Sequence, residues 1–348
     1  MRPELLVPAA LVIDSLLGDP RGFPHPTRAM GALAARLERK LRPEPTFRDA
    51  RNRNRELAAG TLGWLLVVGA AAAFGWGLIE AAAIAARILA GLAGADQAAW
   101  SKTGSGIASV YLVYASIAPR DLAAHALRVY RALAGEAKNG ESLAKGRLAV
   151  SMIVGRDVER LDEAGVIKAT VESVAESAID GVCAPLFWAL ALGPLGAIAY
   201  RAANTLDSMW GHKSERYLYF GRIAARADDL LTWPAARLGF AASVAATALA
   251  AVFRPGRFSP RRALSVGIRD RRRHESPNSA WLEASFAGAL GVELAGPAWY
   301  GGILHEKPTI GDATKAIARE DIPRSVALMY ATTLLFAAAG IALAHILN

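Results

Sequence analysis

A chain carrying the run "TLGWLLVVGAAAAFGWGLIEAAAIAARILAGLAG" at 61–94 has few options in water. A helix needs roughly 20 apolar residues to cross the hydrocarbon core of a bilayer, and this run has more than enough. "RSVALMYATTLLFAAAGIALAHILN" at 324–348 is a second such run, and "LGFAASVAATALAAVF" at 238–253 a shorter third. Three more are short or interrupted: 5–17, with Asp14 inside it; 104–118; and 182–200, broken by Pro185, Gly193, Pro194 and Gly196. Each of these suits a span, a re-entrant piece or a buried helix. Hydrophobic residues at 53% exceed the usual share in a soluble domain. The expected class is therefore all-α: a polytopic membrane protein with several transmembrane helices, re-entrant or broken helices and a cytoplasm-facing helical region. The alternative is an alanine-rich soluble bundle.

The formal charge of +9 raises the question of nucleic acid, and its distribution answers it. Arginine concentrates at 21–55 and 254–273, beside apolar segments, which is the pattern of cytoplasmic loops near anionic headgroups. No nucleic-acid-binding module is recognisable, so membrane lipid rather than nucleic acid is the expected partner of these charges. The single cysteine, Cys183, excludes an intramolecular disulfide and any cysteine-cluster metal site. The N-terminal apolar segment carries acids where a signal peptide has small residues, and is read as retained.

The chain reads as a single integral-membrane domain, 1–348. It includes a polar helical region at 119–181 and polar motif loops at 200–233 and 254–283. If both apolar segments between these blocks cross fully, the middle block faces the opposite side from its neighbours. The proline and glycine breaks make 182–200 the better candidate for a half-depth or re-entrant helix.

Five polar clusters carry the chemistry. "DSLLGDPRGFPHPTRAMG" sets Asp14, Asp19, Arg21, His25 and Arg28 around rigid turns, and a membrane-interface turn is its plainer explanation. "GRD" at 155–157 suits a helix-start turn with Arg156 exposed. "TVESVAESAIDG" spaces Glu172, Glu176 and Asp180 four residues apart, which stacks three acids on one helical face; a solvated face is the alternative. "NTLDSMWGHKSERY" followed by "ARADD" gathers Asn204, Asp207, Lys213, Arg226, Asp228 and Asp229. "RDRRRHESPNSAW" holds His274 and Asn278. Carboxylates at helical spacing with nearby Asn side chains suit a hard cation such as Mg²⁺, and the Arg and Lys of the last two clusters suit phosphate oxygens. "MWGHKS" and "KTGSGIAS" lack the glycine spacing of nucleotide-binding loops and are dismissed as such.

These phrases, with "TWPAARL" and "SAWLEASFAGALGVELAGPAWYGG", resemble the CobD/CbiB family, the adenosylcobinamide-phosphate synthases of cobalamin biosynthesis. They fall in the family's order over nearly the whole chain. The resemblance implies a multi-pass enzyme of the cell inner membrane, its active site facing the cytoplasm. Such an enzyme joins the free propionate carboxylate of adenosylcobyric acid to the amine of 1-aminopropan-2-ol or its phosphate. ATP is the implied driving force, with an acyl phosphate attacked by the amine. Other late cobalamin-assembly enzymes are implied as partners at the membrane.

The resemblance marks these positions as matching the family's motifs; from their chemistry, Glu172, Glu176 and Asp180 are then expected on Mg²⁺ and Asp207, Lys213 and His274 in catalysis. Lys213 meets phosphate, and His274 takes the proton from the attacking ammonium. Asp19, His25, Arg156, Asn204, Arg226, Asp228, Asp229 and Asn278 fall to substrate or phosphate binding. Ser177, Ile179 and Thr232 depart from the family's pattern while sparing the charged residues, which bears on substrate choice or affinity. Two other readings are a non-catalytic membrane sensor or regulator of the same superfamily and a corrinoid transporter.

Overall fold

A computed structural model describes residues 3–20, 22, 25–42, 50–135 and 141–347. The regular elements of the described chain are helices apart from one short β segment. The helices are α1 (Pro3–Leu17), α2 (Pro26–Leu41), α3 (Ala50–Leu92), α4 (Gln97–Tyr114), α5 (Pro119–Ala134), α6 (Glu141–Val150), α7 (Glu163–Ala178), α8 (Ala184–Trp210), α9 (Arg222–Phe253), α10 (Pro260–Asp270), α11 (Ser279–Leu290) and α12 (Asp321–Leu347). A five-residue π-helical turn, Ile179–Cys183, joins α7 to α8.

Four described helical stretches are long and apolar enough to cross a membrane: Asn52–Leu92, Glu163–Trp210, Arg222–Phe253 and Asp321–Ile346. At 43 residues, α3 extends for about 65 Å, well beyond the hydrocarbon thickness, so its arginine-rich first turns project past it. Only 22% of its most apolar window is buried in the protein. Leu62, Leu65, Leu66, Phe74, Trp76, Ile84 and Ile88 point outward, an arrangement that lipid accepts and water penalises. The break expected within 182–200 lies at Gly193, whose φ of 69° and ψ of −162° interrupt α8 just before Pro194.

The chain groups into two compact units. The first comprises Met1–Ala118, Ala184–Leu231 and Gly340–Asn348. Its core is built on Met30, Ala34, Val67, Leu112, Leu206, Trp210 and Phe220. Here α3 and α4 pack closely: a Cβ on Gly104 would lie 2.4 Å from the Ala82 carbonyl oxygen and 2.8 Å from the Ala86 methyl. The glycine of "KTGSGIAS" thus serves helix packing of the small-residue kind found in membranes.

The second unit comprises Pro119–Cys183 and Thr232–Ala339. The helix α11, apolar apart from Glu283 and two serines and buried nearly all round, lies in its core and packs on α7 and α10. A β segment follows it. Strand β1 (Glu293–Ala295) pairs antiparallel with β4 (Thr309–Gly311), and β2 (Ala298–Tyr300) with β3 (Ile303–His305), forming one hairpin interrupted midway. Gly301 and Gly302 close its tip with φ of 56° and 78°, the left-handed pair that a two-residue hairpin turn demands.

Residues 200–233, read as motif loops, are helical except at 211–221, and within 254–283 the spans 260–270 and 279–283 are helical as well. Their charges sit on helix ends and faces, where dense charge resembles a loop in sequence.

Candidate functional site

In the second unit the site grows from α7. Asp162 caps its first turn, accepting a 2.7 Å hydrogen bond from Gly165 N, and the apolar face of Val166, Ile167, Ala169, Thr170, Val171 and Val174 fixes its rotation in the core. That rotation turns Glu172 inward. One carboxylate oxygen is ion-paired with Arg156, and the other accepts a 2.5 Å hydrogen bond from Ala295 N. Ala295 is the one described non-glycine residue with positive φ, at 56°, a strained conformation for a residue with a Cβ. Arg156 is thus not an exposed loop arginine, as sequence suggested, but the cation that answers Glu172. The adjacent Asp157 pins the hairpin tip, accepting from Gly301 N at 3.0 Å and Gly302 N at 2.7 Å while its own N–H donates to the Trp299 carbonyl.

One turn along α7, Glu176 meets His274 and Glu283, with one donor atom from each lying within 4.8 Å of the others. Glu283 projects from α11 and is only 3% exposed. Burial pushes its carboxyl well above the usual carboxylate range; the charges of Glu176 and Glu172 act in the same direction and those of Arg156 and Lys307 oppose it. His274 Nδ1 accepts a 3.0 Å hydrogen bond from Ser276 N, and its Nε2 lies 3.9 Å from Glu283 Oε1. With Nδ1 accepting, a neutral ring carries its proton on Nε2 and faces Glu283 as a donor.

The turn carrying His274 is held from α9. Arg237 donates to Asn278 Oδ1 at 2.6 Å and lies over the rings of Trp233 and Trp281, at 4.6 and 5.2 Å from their centroids. Asn278 is buried. Before the turn, Asp270 accepts from Arg269 at 2.7 and 2.8 Å and from Gly311 N at 2.9 Å, tying α10 to β4.

Asp180 falls in the π-helical turn, whose wider winding breaks the four-residue register of the acid stripe. Among the described residues Glu176 gathers with Glu283 and His274, while Glu172 is engaged with Arg156. Glu283 escaped the sequence reading. Its signal was present: a lone acid in an otherwise largely apolar helix has a reason to be there.

The remaining residues lie in the first unit. Asn204 Nδ2 donates to Asp228 Oδ1 at 3.2 Å, and both are buried. Asp207 sits at the end of α8 against Gly211: a Cβ there would lie 2.0 Å from its Oδ1. Lys213 and Arg226 are exposed, and Asp229 is half-buried. His25 caps α2, accepting at Nδ1 from Thr27 N at 3.3 Å, while Asp19 lies 3.8 Å from Arg28. Arg21, of the same sequence cluster, lies outside the described residues.

The family model described as CobD/Cbib protein matches residues 7–329. The cobalamin biosynthesis protein CbiB of Salmonella typhimurium is 39% identical, over 94% of this chain and 92% of that protein. The cobalamin biosynthesis proteins CobD of Citrobacter koseri and Pelobacter propionicus are 39% and 38% identical, over 94% and 97% of this chain and 92% and 94% of their own lengths. No solved structure matches the chain. On a match of this extent, the chain belongs to the CobD/CbiB family of cobalamin-biosynthesis proteins.

Proposed function

We propose that this membrane protein is an ATP-dependent amide ligase of cobalamin assembly. It joins the free propionate carboxylate of adenosylcobyric acid to the amine of 1-aminopropan-2-ol or its phosphate. The observation that carries the reading is the approach of Glu176 to the fully enclosed Glu283. Two carboxylates this close, one of them buried, are stabilised by a shared proton or by a divalent cation.

The donor set fits Mg²⁺, which takes oxygen ligands and retains waters. Glu176 and Glu283 would hold it; Glu172 leaves the metal set because both its oxygens are already engaged. With ATP, the bound ion supplies screening of the phosphate charge during activation of the carboxylate. His274, with Nδ1 filled by the Ser276 N–H, cannot take a proton at Nε2 when neutral, so we assign it to positioning Glu283 rather than to deprotonating the ammonium. Lys213 and Arg226 suit the phosphate oxygens of the substrates, and Asp207, Asn204 and Asp228 suit their polar groups.

We further place the protein in the inner membrane with its site toward the cytoplasm, because its arginine-rich stretches border apolar segments. Cysteines introduced at the exposed Ser208 and Arg272 should label from the same side; labelling from opposite sides would overturn this orientation.

Purified protein given adenosylcobyric acid, ATP, Mg²⁺ and aminopropanol phosphate is expected to form the amide. Corrinoid binding without product, under conditions that preserve the fold, would favour a sensor or transporter instead.

A further inference from the structure

In the second unit, a cavity of about 400 Å³ opens where α9 ends and α12 begins. Arg254, Arg257 and Arg324 line it together with Glu320, and the rings of Phe253 and Phe258 contribute apolar wall. Both helices are membrane-span candidates, so the cavity lies at the polar end of two apolar rods. Val252 and Phe253, in the last turn of α9, are 73% and 76% exposed. On the following α10, Leu264 and Ile268 are one turn apart and also exposed, beside the exposed Arg261 and Arg262. Outward apolar residues beside arginines mark the boundary between acyl chains and headgroups.

We propose that this cavity binds the headgroup phosphate of an anionic phospholipid. The charge balance selects that ligand. Arg324 is answered by the buried Asp321, whose Oδ1 lies 2.8 Å from Arg324 Nη1. Among the described residues, Arg254 and Arg257 have no carboxylate within 4.0 Å. Glu320 opposes them in the same cavity, leaving about one net positive charge, which matches a single phosphodiester and is little for the polyphosphate of a nucleotide. The apolar walls continue onto the span helices, so a lipid seated by its phosphate keeps its acyl chains along them. Free phosphate would leave those walls unused.

The test uses the full-length protein in phosphatidylcholine nanodiscs with and without phosphatidylglycerol, with lipid binding read by native mass spectrometry after release. Wild type is expected to retain phosphatidylglycerol selectively. Arg254→Gln with Arg257→Gln should weaken retention by about 30-fold, roughly fivefold per arginine. Glu320→Gln should strengthen it, and Arg128→Gln, which removes a surface charge elsewhere in the unit, should leave it unchanged. Equal retention by wild type and the double variant, with both shown folded by their thermal transitions, would overturn the proposal. Competition by inorganic phosphate or ATP at concentrations that displace the lipid would overturn it too, by making this a free-phosphate site.

Discussion

Arg156 and Glu172, sixteen residues apart in sequence, are ion-paired within the second unit, and Ala295 N supplies the hydrogen bond that completes the Glu172 carboxylate. The pair joins the "GRD" turn, α7 and the start of the β hairpin. Removing one partner of a largely buried pair leaves an uncompensated charge, which costs about 3 kcal/mol or more. Arg156→Ala is therefore expected to lower the thermal transition in detergent substantially. Replacing both residues by leucine should recover part of the loss; an unchanged transition for Arg156→Ala would show that the pair is not structural.

Arg237 is expected to act through the His274 turn rather than on substrate. Arg237→Ala and Asn278→Ala should each reduce stability by about 2 kcal/mol, the loss of a hydrogen bond to a charged group, and the double variant should cost little more than either alone. Additive losses in a double-mutant cycle would place the two residues in separate roles.

Asp157 fixes a Gly-Gly turn that has no other side chain to hold it among the described residues. Asp157→Ala should leave the helices intact but open the hairpin around 299–305, read as faster limited proteolysis there. Wild-type cleavage rates would remove Asp157 from this role.

Asp270 makes stability depend on acid. Burial works to raise its pKa, yet hydrogen bonds from Arg269 and Gly311 N, with the charges of Arg269 and Arg273, leave it below the ordinary value. A depressed folded pKa contributes stability that is complete above the unfolded pKa, about 4, and is lost as pH falls through the lower folded value. Wild type should therefore lose stability below about pH 4. Asp270→Asn should be less stable at neutral pH and show a flatter acid limb; identical profiles would contradict this.

The membrane class and long helices were legible in the apolar runs, because length and hydropathy alone decide what a bilayer accepts. Glu176, His274 and Asn278 were also legible as motif members. Their partners were not. Glu283 was hidden as one acid within "AWLEASF", and Arg237 within "TWPAARL", since only tertiary packing brings α11 and α9 to the turn after α10. The π-helical turn that carries Asp180 was not legible, because a four-residue rhythm assumes an unbroken α-helix and the turn begins at Ile179. The hairpin escaped notice because its three-residue strands are too short to show alternation, although Gly301 and Gly302 announced its turn.

The most direct test of the carboxylate site is the rate of Mg²⁺-dependent amide formation by purified Glu283→Gln, a change that keeps shape and removes charge. Loss of about 100-fold or more, with the thermal transition retained, is the predicted result. Amide formation at close to the wild-type rate would contradict the assignment of Glu176 and Glu283 as the cation site.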